Sequence, residues 1–171
     1  VSYKVWNAAM PTTAAMSGVA TANGLKVMLQ LATPSTRQLQ VISWGYSVSV
    51  TPPGVSTVEL IGVDVASSGG TAHVNAGIQP TVPGSPNSLL QLGTALTGYT
   101  FSTPGTPTST RSFDNQQLGA AAGNDDLVYS YQFMPDEERP VVDVSKFLQV
   151  RTTFTSTTPL FLCWVCFKEL G

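Results

Sequence analysis

Residues 159–170 read "PLFLCWVCFKEL", and whether they are a strand or a helix decides how the rest of the chain is read. The run is apolar at consecutive positions, and it carries both cysteines, Cys163 and Cys166, in a CxxC spacing. As a strand, its side chains alternate between faces. Leu160, Leu162, Trp164 and Cys166 then share one side, and Phe161, Cys163, Val165 and Phe167 the other. Residues three apart fall on opposite faces, so the two thiols neither pair nor share a metal ion. A redox CxxC opens a helix, where the helix N-terminus lowers the thiol pKa. A zinc finger or ribbon needs a second ligand pair. The flanks "LFL" and "FKEL" are β-prone and give no helix start, and His73 is the single histidine. A strand with two inert thiols is expected, with no cofactor and no metal.

Composition supports strands elsewhere. Of 171 residues, 11% are charged and 42% hydrophobic, too few charges for long solvated helix faces. The length is that of one domain with a single core. Lys and Arg number 8 against 10 Asp and Glu, a net charge of −2. Nucleic acid is held chiefly by clustered cations on phosphates, and the sequence has no such cluster, so no nucleic-acid partner is expected. No run of about 18 apolar residues crosses a membrane. The opening "VSYKVWNAAMPTTAAMSGVATANG" has neither the basic start nor the continuous apolar centre of a secretory signal. Two cysteines make no disulfide framework at this size, which fits synthesis in a reducing compartment.

Period-two patterns run from Leu25 onward. "LKVMLQL" aligns Leu25, Val27, Leu29 and Leu31. "LQVISWGYSVSV" sets Ile42, Trp44, Tyr46, Val48 and Val50 inward against Ser43, Gly45, Ser47 and Ser49, until Pro52-Pro53-Gly54 ends it. "STVELIGVDV" aligns Ile61, Val63 and Val65; "LVYSYQFM" aligns Leu127, Tyr129, Tyr131 and Phe133; "KFLQVRTTFT" aligns Leu148, Val150 and Phe154. Between residues 79 and 108 the pattern weakens, and "SPNSLLQLG" has the makings of one or two helical turns with Asn87 or Ser88 as cap. About eight strands with turn chemistry between them, and no crossover helices, predict an all-β antiparallel sandwich or barrel. Residues 1–24, rich in Ala, Thr and Ser, read as an extended arm with one short strand near Tyr3–Trp6, lying either on its own domain or on a neighbouring molecule. The arm divides the chain into 1–24 and a sandwich domain over 25–171.

Candidate chemistry is sparse. His73, in "TAHVNAG", lies near Ser67, Ser68 and Asp64 in sequence, but no nucleophile elbow accompanies it, and a surface or loop histidine is the simpler assignment. Asp125-Asp126 and Asp136-Glu137-Glu138 match no calcium loop and suit a solvated turn. Tyr129 and Tyr131 suit a core better than a sugar platform, and Arg37 and Arg151 suit a turn and a strand face. No defined reaction is expected.

Burying each large side chain is worth about 1.5–3 kcal/mol, so a last strand apolar on both sides predicts that its second face is covered, by the N-terminal segment or by another subunit. The expected contact residues are Val5, Trp6, Met10 and Met16 in the first segment and Phe161, Val165 and Phe167 in the last.

With "RPVVDVSKFLQVRTTFTSTTPLFLCWVCFKE" (139–169), "ATPSTRQLQVISWGYSVSV" (32–50) and "STVELIGVDVA" (56–66) side by side, the chain resembles a viral jelly roll and, more narrowly, the capsid decoration (cement) proteins of tailed bacteriophages. The resemblance covers residues 25–168 as a pattern of short strands, with an apolar leading segment. It implies a non-enzymatic homotrimer on the outer capsid surface, made in the host cytoplasm, that bridges major capsid proteins. A shell protein lining a genome usually carries a basic arm; this leading segment has only Lys4, which favours the outside. The alternative is a receptor- or carbohydrate-binding head of a tail or virion structure, for which Tyr99 and Phe101 are the loop aromatics to watch.

Overall fold

In a computed structural model, which describes residues 1–119, 127–135 and 138–171, the closing segment is strand β13 (Leu160–Leu170), and it runs through the middle of a sheet. Twelve strands precede it among the described residues: β1 (Ser2–Trp6), β2 (Val19–Ala20), β3 (Gly24–Ala32), β4 (Gln38–Val48), β5 (Ser56–Val63), β6 (Thr71–Ala72), β7 (Ile78–Pro80), β8 (Gly98–Tyr99), β9 (Thr110–Leu118), β10 (Val128–Gln132), β11 (Val141–Val142) and β12 (Phe147–Phe154). The one helical element among them is a 3-10 turn, Asn75–Gly77. The predicted helical turns around Asn87 and Ser88 do not form. Ser88 instead donates to Glu169 and accepts from the Leu90 N–H, tying that loop to the end of β13.

The fold is an all-β sandwich of two antiparallel sheets. One runs β10-β4-β13-β1-β7, with β11 also on β4 and β2 also on β13; the other runs β6-β8-β3-β12-β5-β9. The strands of five residues or more, taken in chain order, interleave between the layers: β1, β4, β10 and β13 in the first, β3, β5, β9 and β12 in the second.

Within residues 1–24 the short strand expected near Tyr3–Trp6 forms as β1. β1 is paired on both sides, with β13 (Val5 opposite Val165) and with β7 (Val5 opposite Ile78), so the leading residues share a sheet with the rest of the chain. The physical reason is the ladder. Without β1, a long stretch of β13 would present unpaired N–H and C=O groups along an open edge.

Both faces of β13 are extended as expected, with the roles of the faces now fixed. Phe161, Cys163, Val165 and Phe167 are fully buried in the core between the sheets, together with Val5 from β1. Leu148, Val150 and Phe154 join them, as the β12 periodicity predicts.

Elsewhere the alternation slips at bulges, each of which inserts a residue and shifts the inward set. Opposite Cys166 and Phe167, the β4 register skips Ile42. Leu39 and Val41 therefore face inward before it, and Trp44, Tyr46 and Val48 after it. Ile42 is half-buried and Val50 exposed, against the simple alternation. Opposite Val150 and Arg151, the β3 register skips Met28, so Met28 and Leu29 both enter the core while Leu25 is left exposed. On β5 the core residues are Val58 and Leu60; Ile61 and Val63 are buried outside that cluster.

Candidate functional site

Two places among the described residues stand out for gathering side chains that a partner or ligand could use. The first is the outward face of the larger sheet over β13 and β1. Trp6 lies directly opposite Trp164, and Lys4 opposite Cys166. The two indole rings have centroids 6.3 Å apart, tilted by 54°. The Lys4 ammonium sits over both, 4.3 Å from the Trp164 centroid and 4.9 Å from that of Trp6, a pair of contacts worth about 0.5–1 kcal/mol each at an open site.

Trp164 lies close against β4 because Gly45 is there. A Cβ at Gly45 would stand 2.9 Å from the indole and 2.6 Å from the Tyr129 carbonyl oxygen. Leu162 and Cys166 flank Trp164 half-buried, and Leu160 is 48% exposed. Burial raises the Cys166 thiol pKa, opposed by nearby Lys4, a Ser43 hydrogen bond and Arg139; burial raises that of Cys163 strongly. Both cysteines are free and point to opposite faces of β13.

Beside this face the edge of β13 is covered in two pieces. β1 pairs with Trp164–Lys168, and β2 with Leu160 and Phe161. Asn7 bridges the gap: its N–H donates to the Cys163 carbonyl, Oδ1 accepts the Cys163 N–H at 2.7 Å, and Nδ2 donates to the Phe161 carbonyl at 3.1 Å. At the other end, Thr21 donates through both N–H and hydroxyl to Pro159. Between these staples, residues 8–18 leave the sheet as an uncharged loop, "AAMPTTAAMSG". It is exposed over most of its length, with Met10 and Met16 half-buried.

The seven expected contact residues therefore divide. Trp6, Met10 and Met16 lie at or near the surface, whereas Val5, Phe161, Val165 and Phe167 are 0% exposed within the chain itself. Those four fill the sandwich and offer no surface to a second molecule. The outward residues of β13 are Leu160, Leu162, Trp164 and Cys166, none of which is among the expected contacts.

The second place is a cleft of about 420 Å³ near the start of β9, lined by Asp64, Arg111, Phe113, Asp143 and Lys146 with Gly62 and Gln38. Asp64 Oδ1 accepts the N–H groups of Thr108 and Ser109, and Oδ2 accepts the Thr108 hydroxyl. Asp143 Oδ1 accepts Gln38 Nε2 at 2.9 Å and the Val144 N–H at 2.8 Å. These bonds hold both carboxyl groups below their ordinary pKa, led by Thr108 for Asp64 and Gln38 for Asp143. Phe113 is the extra residue of a bulge on β9, between the Ser112–Ile61 and Asp114–Leu60 pairs. Its ring tip lies over Gly62, where a Cβ would come within 3.2 Å.

Other chemistry-bearing residues are structural. His73 is buried rather than at the surface: its Nε2 is 2.8 Å from the Trp6 carbonyl and its ring packs on Tyr99, with centroids 5.0 Å apart. Burial lowers its pKa, against the opposing hydrogen bond to Trp6. Asp64 is engaged at Thr108 and Ser109 instead of orienting His73, and Ser67 is buried against Gln30 and Gln149. Phe101 is fully buried and Tyr99 half-buried, so neither is a free loop aromatic.

Arg151 pairs with Glu59 across β12 and β5, and Arg37 is half-buried beside Gly171. Tyr129 packs on the core as expected, while Tyr131 is 44% exposed. Asp114, which the sequence does not single out, joins the layers: it accepts Trp44 Nε1 at 2.9 Å and the Tyr129 hydroxyl at 2.7 Å on Oδ2, and Gln116 Nε2 at 2.7 Å on Oδ1. Asp125, Asp126, Asp136 and Glu137 lie outside the described residues; Glu138 is exposed in a turn. Among the described residues no three His, Cys, Asp or Glu side chains are grouped to hold a metal ion, and no helix is long and apolar enough to cross a membrane.

Comparison with protein-family profiles, with curated proteins and with solved structures finds no match for this chain.

Proposed function

We propose that the chain is a non-enzymatic structural virion protein with a jelly-roll fold: a decoration protein that sits, as a homotrimer, on the outer capsid surface and braces neighbouring major capsid proteins. The observation that carries this is the outward face of β13 and β1. A solvated sheet face is ordinarily polar, as Ser43 and Ser47 make it on β4, yet the next two strands carry Leu160, Leu162, Trp164 and Trp6 there. The uncharged loop 8–18 is stapled beside it. Together they form a contact surface with few charges to desolvate, the composition typical of the centre of an interface.

The strand order lends support. Numbering the eight longer strands one to eight in chain order, the layers run one-eight-three-six and two-seven-four-five, the interleaving of a double Greek key. Binding only the assembled shell stabilises it by mass action, and a closed ring of copies is the usual use of one repeated patch.

Particles depleted of the protein and reloaded with it are expected to rupture at a higher temperature than depleted ones. Sedimentation of the free protein should give a trimer mass. Equal rupture temperatures with and without the protein, at full occupancy, would remove the bracing role.

A further inference from the structure

We propose that the cleft lined by Phe113, Asp64, Asp143, Arg111 and Lys146 is a binding site for a neutral saccharide. Its volume, about 420 Å³, is in the range of small-ligand clefts. Its formal charges cancel, with two carboxylates against a guanidinium and an ammonium. A phosphate or carboxylate ligand would meet Asp64 and Asp143, and a cationic one would meet Arg111 and Lys146. A neutral ligand rich in hydroxyls suits both signs, because each hydroxyl donates to a carboxylate and accepts from a cation at once.

The acceptors are held in place before any ligand arrives. Asp64 is anchored from the Thr108–Ser109 turn, and Asp143 through Oδ1 by Gln38 and Val144; Asp143 Oδ2 accepts no hydrogen bond from the described residues. Acceptors fixed by neighbours lose little freedom on binding. The apolar wall is built as deliberately. The bulge that inserts Phe113 re-aims its side chain, and Gly62 leaves room for the ring tip. An aromatic ring beside paired donors and acceptors is what a sugar ring requires, since its C–H faces are apolar and its rim polar.

This site lies between the two sheets, with Gln38 of β4 and Val141–Val142 of β11 on one side and Gly62 of β5, Arg111 and Phe113 of β9 on the other, and it shares no lining residue with the outward Trp6–Trp164 face. The test is therefore made on the isolated full chain, by glycan-array screening followed by NMR titration of each saccharide that scores. At least one saccharide is expected to shift the amides of residues 62–64, 109–113 and 141–146 with a Kd tighter than about 1 mM. Arg111→Ala and Asp143→Asn, both exposed positions, are each expected to weaken it roughly tenfold or more without changing Tm. Phe113→Leu is expected to weaken it by removing the ring while keeping an apolar side chain against the core. Absence of any saccharide hit overturns the proposal. So does saccharide binding that these variants leave unchanged, and so does capture of peptides in the cleft with no saccharide bound.

Discussion

The side chain of Asn7 takes the place of a strand residue beside Cys163: Oδ1 accepts the Cys163 N–H at 2.7 Å while the Asn7 N–H donates to the Cys163 carbonyl at 3.1 Å. With Nδ2 on the Phe161 carbonyl, one residue completes the ladder where the chain leaves the sheet for the loop 8–18. Asn7→Ala strands a buried donor and a buried acceptor of β13. A loss of about 2–4 kcal/mol is expected from urea unfolding. Replacing residues 8–18 by a short glycine linker is expected to cost far less, because both staples stay. A loss under about 0.5 kcal/mol for Asn7→Ala would show that the amide is dispensable.

Gly45 and Trp164 form a second such pair, and here space decides. A Cβ at Gly45 meets backbone as well as the indole. Gly45→Ala is therefore expected to destabilise by about 1–3 kcal/mol and to shift the tryptophan emission. Trp164→Ala on top of it is expected to recover only part, since the Tyr129 carbonyl remains in the way. Full recovery in a double-mutant cycle would mean the indole alone makes the clash.

Asp114 clamps the two layers through Trp44 and Tyr129. Burial first, and then the hydrogen bond to Asp114, hold the Tyr129 hydroxyl pKa well above the ordinary phenol range. The sign follows directly. The unfolded phenol ionises first as pH rises above about 10, so the stability this tyrosine contributes is present below that pH and is lost above it. Asp114→Ala is expected to cost about 2–4 kcal/mol and Asp114→Asn less. Asp114→Asn is also expected to lower the pH at which Tyr129 ionises, followed by ultraviolet difference absorption.

His73 sets an acid limit. Its folded pKa lies below the ordinary value near 6.5, because burial disfavours the cation. As pH falls below that value, the unfolded chain takes up a proton that the folded chain refuses. The neutral histidine's contribution is complete above about pH 6.5 and declines between there and the folded pKa. Wild type is expected to lose more stability than His73→Gln on going from about pH 7.5 to pH 5.5. Identical pH slopes would show that His73 is not the group responsible.

Much of the layer arrangement was legible in strand composition. A chain with few charges and alternating Leu, Val, Phe and Tyr favours extended segments burying one face; the β12 pattern places its inward residues by spacing alone, and the β13 pattern sorts its side chains into two faces without saying which is inward. The bulges were not legible. Whether β4 skips Ile42, or β3 skips Met28, depends on the partner strand across the ladder, which local sequence does not encode. The Asp114 clamp and the Phe113 cleft depend on such irregularities too, and joining residues about 70 positions apart, as in Trp44 and Asp114, leaves no local signature.

By itself, then, the sequence determined that this protein is a two-layer antiparallel β structure whose last strand is extended and whose thiols face apart, because period-two burial follows from residue order. Only the tertiary structure decided that Phe161, Val165 and Phe167 are filling while Leu162 and Trp164 face outward, and that the strand at Ser2–Trp6 is paired on both sides, with β13 and β7. Alternation says which side chains travel together; which side becomes the interior depends on where the second sheet lands.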